Sequence, residues 1–485
     1  MAAPHNARWW ALWAALTLVG LGVFAAALAL PVRDDTTVLA QVRGWLQPGP
    51  ASHGHHQIAL ACDACHTEPL GGGEVLQQAC MNCHSDALKA ANDKHPASKF
   101  EDPRNAFRLA RIDALRCVSC HTEHRPEITQ AMGVTQPADF CVHCHAGPEE
   151  MPPSHAELPF DGCTAAGCHN YHDNRALYED FLLKHADAPA LLVRRLLRER
   201  SLGEDLPASL HYPQDRFPFQ PLDLAAADAP PTLRGHAAAD EWLASRHAQA
   251  GVNCSACHVV GAAAPADSPP PPGAGTWLDQ PPTPAACAGC HAEEAQGFGQ
   301  GLHGMRSAIG LSPMQPSRAR LPMHADAAHR RLDCNSCHTP HRPDLRRAAV
   351  EACTGCHADT HTQAYEGSPH HRLWQAEGAG QLPVGSGVSC ASCHMPREQL
   401  QTSDGSRYGV QHNQSASLRP IEAMARPVCL NCHGLGYALD ALADPALAAG
   451  NYGAPPAVHV PGIDMARAKD EAYRRSQAPS SPKPP

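Results

Sequence analysis

The 22 cysteines of this 485-residue chain obey one spacing rule, and a histidine follows each pair. Ten pairs are two residues apart. Four come early: Cys62, Cys65 and His66; Cys80, Cys83 and His84; Cys117, Cys120 and His121; Cys141, Cys144 and His145. Six come late: Cys254, Cys257 and His258; Cys287, Cys290 and His291; Cys334, Cys337 and His338; Cys353, Cys356 and His357; Cys390, Cys393 and His394; Cys429, Cys432 and His433. Cys163 and Cys168, four residues apart and followed by His169, complete the set, so no cysteine is left over. Two thiols one turn apart can add to the two vinyl groups on one edge of a porphyrin. The next residue then sets an imidazole against the iron, which makes C-x-x-C-H the attachment pattern of c-type haem. The motifs are numbered here as sites 1 to 11 in chain order.

Other uses of paired cysteines fit less well. Zinc sites need no histidine directly after each second thiol. Thioredoxin-like motifs occur once or twice in a βαβ setting, and a disulfide scaffold has no call for histidine at that place. With histidine at about one residue in fifteen, eleven chance placements have a probability on the order of 10⁻¹³.

The 33 histidines less the eleven proximal ones leave 22, enough for a second axial imidazole at every iron. His124, His172 and His341 follow a proximal histidine by three residues, which on a helical turn shares its face, so each is expected to reach a neighbouring haem. His361, four after His357, is read the same way. His56, His155, His247 and His329 precede a motif, and His95, His143, His303, His370 and His412 lie between motifs. Methionine is the rival ligand, but Met395 abuts its own motif, so bis-histidine, low-spin iron of low potential is expected.

Stepping outward, the elements that must hold these groups are sparse in ordinary core material. There are 46 prolines, 37 glycines and few aromatic residues (9 Phe, 7 Trp, 8 Tyr). Strand patterns are scarce, so the expected fold is short helices and long loops wrapped around closely packed haems, with very little β structure. Acids outnumber bases by 48 to 38, which excludes a nucleic-acid binder working by phosphate neutralisation. It also suits docking to basic redox partner proteins.

Residues 9–30 form an uncharged apolar run about 33 Å long as a helix, enough to cross a bilayer, with Trp9, Trp10 and Trp13 as an interfacial cluster. The run reads as one uncleaved N-terminal transmembrane anchor; a signal peptide cut near Ala27-Leu28-Ala29 is the alternative. Either exports the chain, and the anchor reading places the haem domains in the periplasm on a bacterial cytoplasmic membrane. The expected modules are a five-haem domain at 53–172, a helical and loop linker at 173–235 with an amphipathic helix from Leu177 to Arg200, and a six-haem domain at 236–435. Residues 436–485 are expected to be a partly disordered extension.

Residues 53–172 resemble class III multihaem cytochromes c, on Cys117-Val118-Ser119-Cys120-His121-Thr122-Glu123-His124 and the four-residue spacer between Cys163 and Cys168. Residues 236–435 look similar to cytochromes related to nitrite reductase and hydroxylamine oxidoreductase. The matching text is Gly387-Val388-Ser389-Cys390-Ala391-Ser392-Cys393-His394-Met395-Pro396, with Ser368-Pro369-His370 upstream and His412 downstream. The second resemblance implies a haem-packing scaffold rather than a reaction: the lysine-ligated C-x-x-C-K motif of those nitrite reductases is replaced by histidine throughout, and no tyrosine can be assigned to a haem cross-link. The expectation is electron transfer by eleven covalent haems, between a membrane or periplasmic donor and a periplasmic or extracellular acceptor. The alternative is an oxidoreductase acting on nitrite, hydroxylamine or a similar small species at one open-coordinate haem.

Overall fold

The computed structural model describes residues 5–30, 32, 37–68, 71–91, 102–110, 113, 115–126, 155, 172, 179–197, 220–233, 235–260, 276–342, 344–402, 405–418 and 422–477. His95, Cys141, His143, Cys144, His145, Cys163, Cys168 and His169 lie outside them, as do residues 478–485. Among the described residues the chain is mostly helical with little strand. It divides into two compact units. One is Met1–Gly162, Tyr171–Asn174 and Met305–Ser312; the other is Cys163–Asn170, Arg175–Gly304 and Pro313–Pro485.

In the first unit, helix α1 (His5–Ala29) carries the apolar run, and its Ala7–Ala27 portion is long and apolar enough to cross a membrane. Helix α2 (Val38–Leu46) is capped by the Thr37 hydroxyl, which accepts from the Ala40 N–H. From α2, the buried Arg43 reaches back. Its guanidinium donates to the carbonyls of Ala27 (2.6 Å) and Leu30 (2.6 Å) at the end of α1, and to Leu60 (2.9 Å) ahead of site 1. Its ion pair to Asp63, 3.4 Å away, lies inside the first motif. Arg306 acts similarly, with Nη1 donating to the Gln57 carbonyl at 2.7 Å, so Met305–Ser312 braces the loop beside His55 and His56.

The attachment motifs are mostly one-turn helices: Cys62–Cys65, Cys117–Cys120, Ser255–His258, Pro284–Ala288, Cys334–Cys337, Glu351–Thr354 and Cys390–His394. Site 2 instead sits within the longer helix Gly73–Ala91. Capping boxes start two of them, Asp333 with Ser336 and Ser389 with Ser392. Two antiparallel pairs make up the β structure: β1 (Val259–Val260) with β2 (Thr276–Trp277), and the hairpin of β3 (Arg397–Thr402) with β4 (Gly405–Val410).

Side-chain cores are small. One, in the second unit, gathers Leu435, Leu439, Val460 and Ile463 with Phe181, Leu182 and Leu430; another gathers Ala227, Trp242 and Ala248. The helix expected over 177–200 is only Glu179–His185. Pro189 cannot continue a helix, and the chain beyond it pairs instead with site 11: the Leu192 N–H donates to the Cys432 carbonyl, and the Gly434 N–H to that of Pro189. The described parts of the expected linker thus belong to the second unit. Residues 436–477, read as extension, hold ordered helices (Leu435–Ala443, Pro445–Ala449, Gly462–Gln477) that supply most of the first of these cores.

Candidate haem-ligand sites

At seven of the described motifs a main-chain bond from the proximal histidine to the first cysteine closes one turn. The N–H of His66 donates to the Cys62 carbonyl at 2.7 Å, His121 to Cys117 at 2.8 Å, His291 to Cys287 at 2.8 Å and His338 to Cys334 at 3.0 Å. The same bond holds at His258, His357 and His433. That turn puts both thiols and the imidazole on one side of the segment, as attachment to a single ring requires. None of the eighteen described cysteines is in a disulfide. Among the described residues no group of three or more His, Cys, Asp or Glu could hold a bare metal ion.

Eight of the nine described proximal imidazoles, all but His66, face second histidines. In the first unit His84 pairs with His55, ring centres 6.0 Å apart, and His121 with His172 at 6.2 Å. In the second unit all six proximal rings are matched: His258 with His341 (5.7 Å), His291 with His247 (6.3 Å), His338 with His412 (6.3 Å), His357 with His303 (6.1 Å), His394 with His361 (6.0 Å) and His433 with His370 (6.4 Å). Two imidazoles bonded to opposite faces of one metal ion, each through a bond of about 2.0 Å, have ring centres about 6 Å apart. The residues present therefore fit an iron between each pair.

Tautomers are set by the outer nitrogen. Nδ1–H donates to a main-chain carbonyl at His258 (Leu278, 2.7 Å), His433 (Ala190, 3.0 Å), His361 (Ala448, 2.5 Å), His412 (Val410, 2.9 Å) and, more weakly, His247 (Pro340, 3.4 Å). This leaves the Nε2 lone pair for a metal. Burial pushes His121, His303 and His394 down to about 4, with neighbouring imidazoles adding to the effect, so all three are neutral at pH 7. Burial likewise raises the thiols, Cys80 to about 11 and Cys393 and Cys429 to about 12.

Seven of the thirteen expected second ligands thus face a proximal ring: His172, His247, His303, His341, His361, His370 and His412. His172, His341 and His361 each pair with a proximal histidine of another motif, not their own. His56 donates Nδ1–H to the His53 carbonyl at 2.9 Å and His124 to that of Gly49 at 3.0 Å, the same kind of bond that leaves Nε2 for a metal at the paired imidazoles; His155 is half-buried, and His329 is exposed.

His55 was not among the expected ligands. Its support is remote: its Nδ1–H donates to the Glu123 carboxylate at 2.6 Å, which also accepts from the N–H and hydroxyl of the fully buried Ser52. Burial pushes Glu123 up, but the hydrogen bonds from His55 and Ser52 outweigh it and hold the carboxyl below its ordinary value. A carboxylate behind a ligand imidazole makes it a stronger donor and favours the oxidised metal. Glu123→Gln should therefore raise the midpoint potential of site 2 by on the order of 60 mV, a tenfold change in relative affinity for a one-electron couple. Spectroelectrochemical titration of the haem-loaded protein reads this, and an unchanged curve would remove Glu123 as the support behind the site 2 ligand.

No curated protein and no solved structure matches the chain. Residues 54–146, which hold sites 1 to 4, match the family model of cytochrome c3, a multihaem cytochrome with covalently bound c-type haem.

Proposed function

We propose that the chain is an electron-transfer protein carrying eleven c-type haems, held at a bacterial cytoplasmic membrane by α1 with its haem units in the periplasm. The cytochrome c3 match over 54–146 supports electron transfer in coarse terms. The observation that carries the fuller reading is the pairing of imidazoles. Eight proximal histidines face a second histidine at the spacing of one intervening metal, including all six in the second unit.

The thioethers would form at the paired cysteines, and haem supplies one-electron chemistry at its iron when bound. The polypeptide does the rest. At the eight paired sites two imidazoles would leave no coordination position for a substrate, which favours relay over turnover there. Carbonyl acceptors at Nδ1 fix ligand orientation. An anchor, as opposed to a cleaved signal, is supported by Arg43, whose buried guanidinium ties the end of α1 to the segment before site 1. Redox partner proteins would supply and withdraw the electrons.

Electron paramagnetic resonance on the oxidised, haem-loaded protein tests the reading. Low-spin ferric signals alone are expected. A high-spin signal that responds to nitrite or hydroxylamine, together with turnover of either, would replace it with the oxidoreductase reading.

A further inference from the structure

Helix α2 (Val38–Leu46) is built the wrong way round for a helix in water. Its single charged residue, Arg43, is 2% exposed, while Trp45 is 83% and Val38 67% exposed. At the helical period Trp45, Val38, Val42 and Leu46 share one side, and Ala40 and Arg43 take the opposite, buried side. Apart from the Trp45 N–H, Gln41 is the one polar side chain on the exposed side. A helix at the surface of a domain in water turns its apolar stripe inward and its charge outward.

Arg43 points inward because the end of α1 needs a donor. The last carbonyls of a helix have no helical partner, and the residue four after Ala27 is Pro31, which has no N–H to give. The Arg43 guanidinium donates to the carbonyls of Ala27 and Leu30 instead, at 2.6 Å each. A cation there also answers the negative end of the α1 dipole. These bonds hold α2 against the last turn of α1, where the Ala7–Ala27 stretch ends.

We infer that α2 is a second membrane contact, lying in the headgroup layer at the far end of α1 with Val38 and Trp45 against the acyl chains. The inference rests on the proposal that α1 is an uncleaved anchor. Three tryptophans mark the beginning of α1, whereas residues 25–30 at its end include no aromatic residue. Trp45 supplies the aromatic side chain that a second bilayer interface favours. An uncharged, mostly apolar outer face suits the boundary between headgroups and acyl chains. Site 1 follows from this placement. Arg43 Nη1 donates to the Leu60 carbonyl at 2.9 Å and Gln47 Nε2 to that of Ala59 at 2.7 Å, so α2 holds the segment entering site 1 at the membrane surface.

Photo-cross-linking of the full haem-loaded chain, in nanodiscs of phosphatidylcholine and phosphatidylglycerol, gives the test. The photoreactive residue p-benzoylphenylalanine replaces Leu16 on α1, Val38 or Trp45 on α2, or Val193 in the second unit, one position at a time; all four are exposed. Unchanged haem absorbance checks that each protein is folded, and mass spectrometry reads the adducts. Lipid adducts are expected at Leu16, Val38 and Trp45, with background only at Val193. An adduct at Leu16 but not at both α2 positions overturns the inference and leaves the anchor standing. Cross-links from α2 to a second copy or to another polypeptide do the same. No adduct at Leu16 removes the anchor, and the inference with it. Equal lipid yield at Val193 would mean that lipid collects on any bare apolar residue, and this too overturns it.

Discussion

Produced without haem attachment, the chain is expected to yield no folded second unit: circular dichroism should show loss of most helix, and limited proteolysis should cut throughout residues 236–435. The reason lies in what fills the interior. The largest fully buried side chains are Leu435, Leu439, Pro396, Ser52, Ser245 and Ser417, and the rest of the buried hydrophobic set is dominated by alanine. A buried leucine contributes about 1.5–3 kcal/mol and an alanine far less, while ordering each residue costs about 1–2 kcal/mol of backbone entropy. One-turn helices are also too short to persist alone. The histidine pairs would bring buried, neutral imidazoles together with nothing between them, so the ring that separates them is the missing core. A compact, protease-resistant haem-free form would contradict this account and the ligand pairing with it.

The second large effect is expected from His303→Ala. His303 is half-buried, 6.1 Å from His357, and desolvation holds its pKa low. Removing it takes one ligand from site 9 and leaves the proximal His357, supported by Glu351–Thr354, in place. One haem per chain should turn from low-spin to high-spin and bind carbon monoxide when reduced. Its midpoint should rise by on the order of 100 mV, within the span of about 0.8 V that axial ligation covers. His329→Ala, at an exposed position between sites 7 and 8, should change neither spin state nor carbon monoxide binding. If the two variants behave alike, the ring pairing does not report ligation.

How far these sites could be read from the chain depended on which interactions are local. Thioether attachment fixes the distance between two thiols and the next histidine, so the motifs are visible as spacing alone. The three-residue offset of His172 and His341 is local too, and in the structure each faces a proximal ring of another motif; His124, at the same offset, donates to Gly49. Nothing local points to His55, whose imidazole is held by Glu123, far away in sequence, once the chain has folded. The short helix at Glu179–His185 shows the same limit, because leucines at helical spacing continue past Pro189 while the main chain turns to pair with Cys432 and Gly434. The ordered C-terminal helices escaped notice because their apolar face is completed by Phe181 and Leu182, far away in sequence.

The crossing of ligand partners has a bearing on biogenesis. On the proposed ligation, site 6 takes its second histidine from His341, beyond motif 8, and site 8 takes its own from His412, beyond motif 10. A chain threaded through a translocon from its N-terminus would therefore acquire attached rings long before those sites could close. During that interval the nascent cytochrome would carry half-ligated, reactive irons, so the maturation machinery must shield them until the last segment arrives. A polypeptide interrupted before His412 would leave site 8 permanently open, a lesion that quality-control proteases could recognise without reading any sequence.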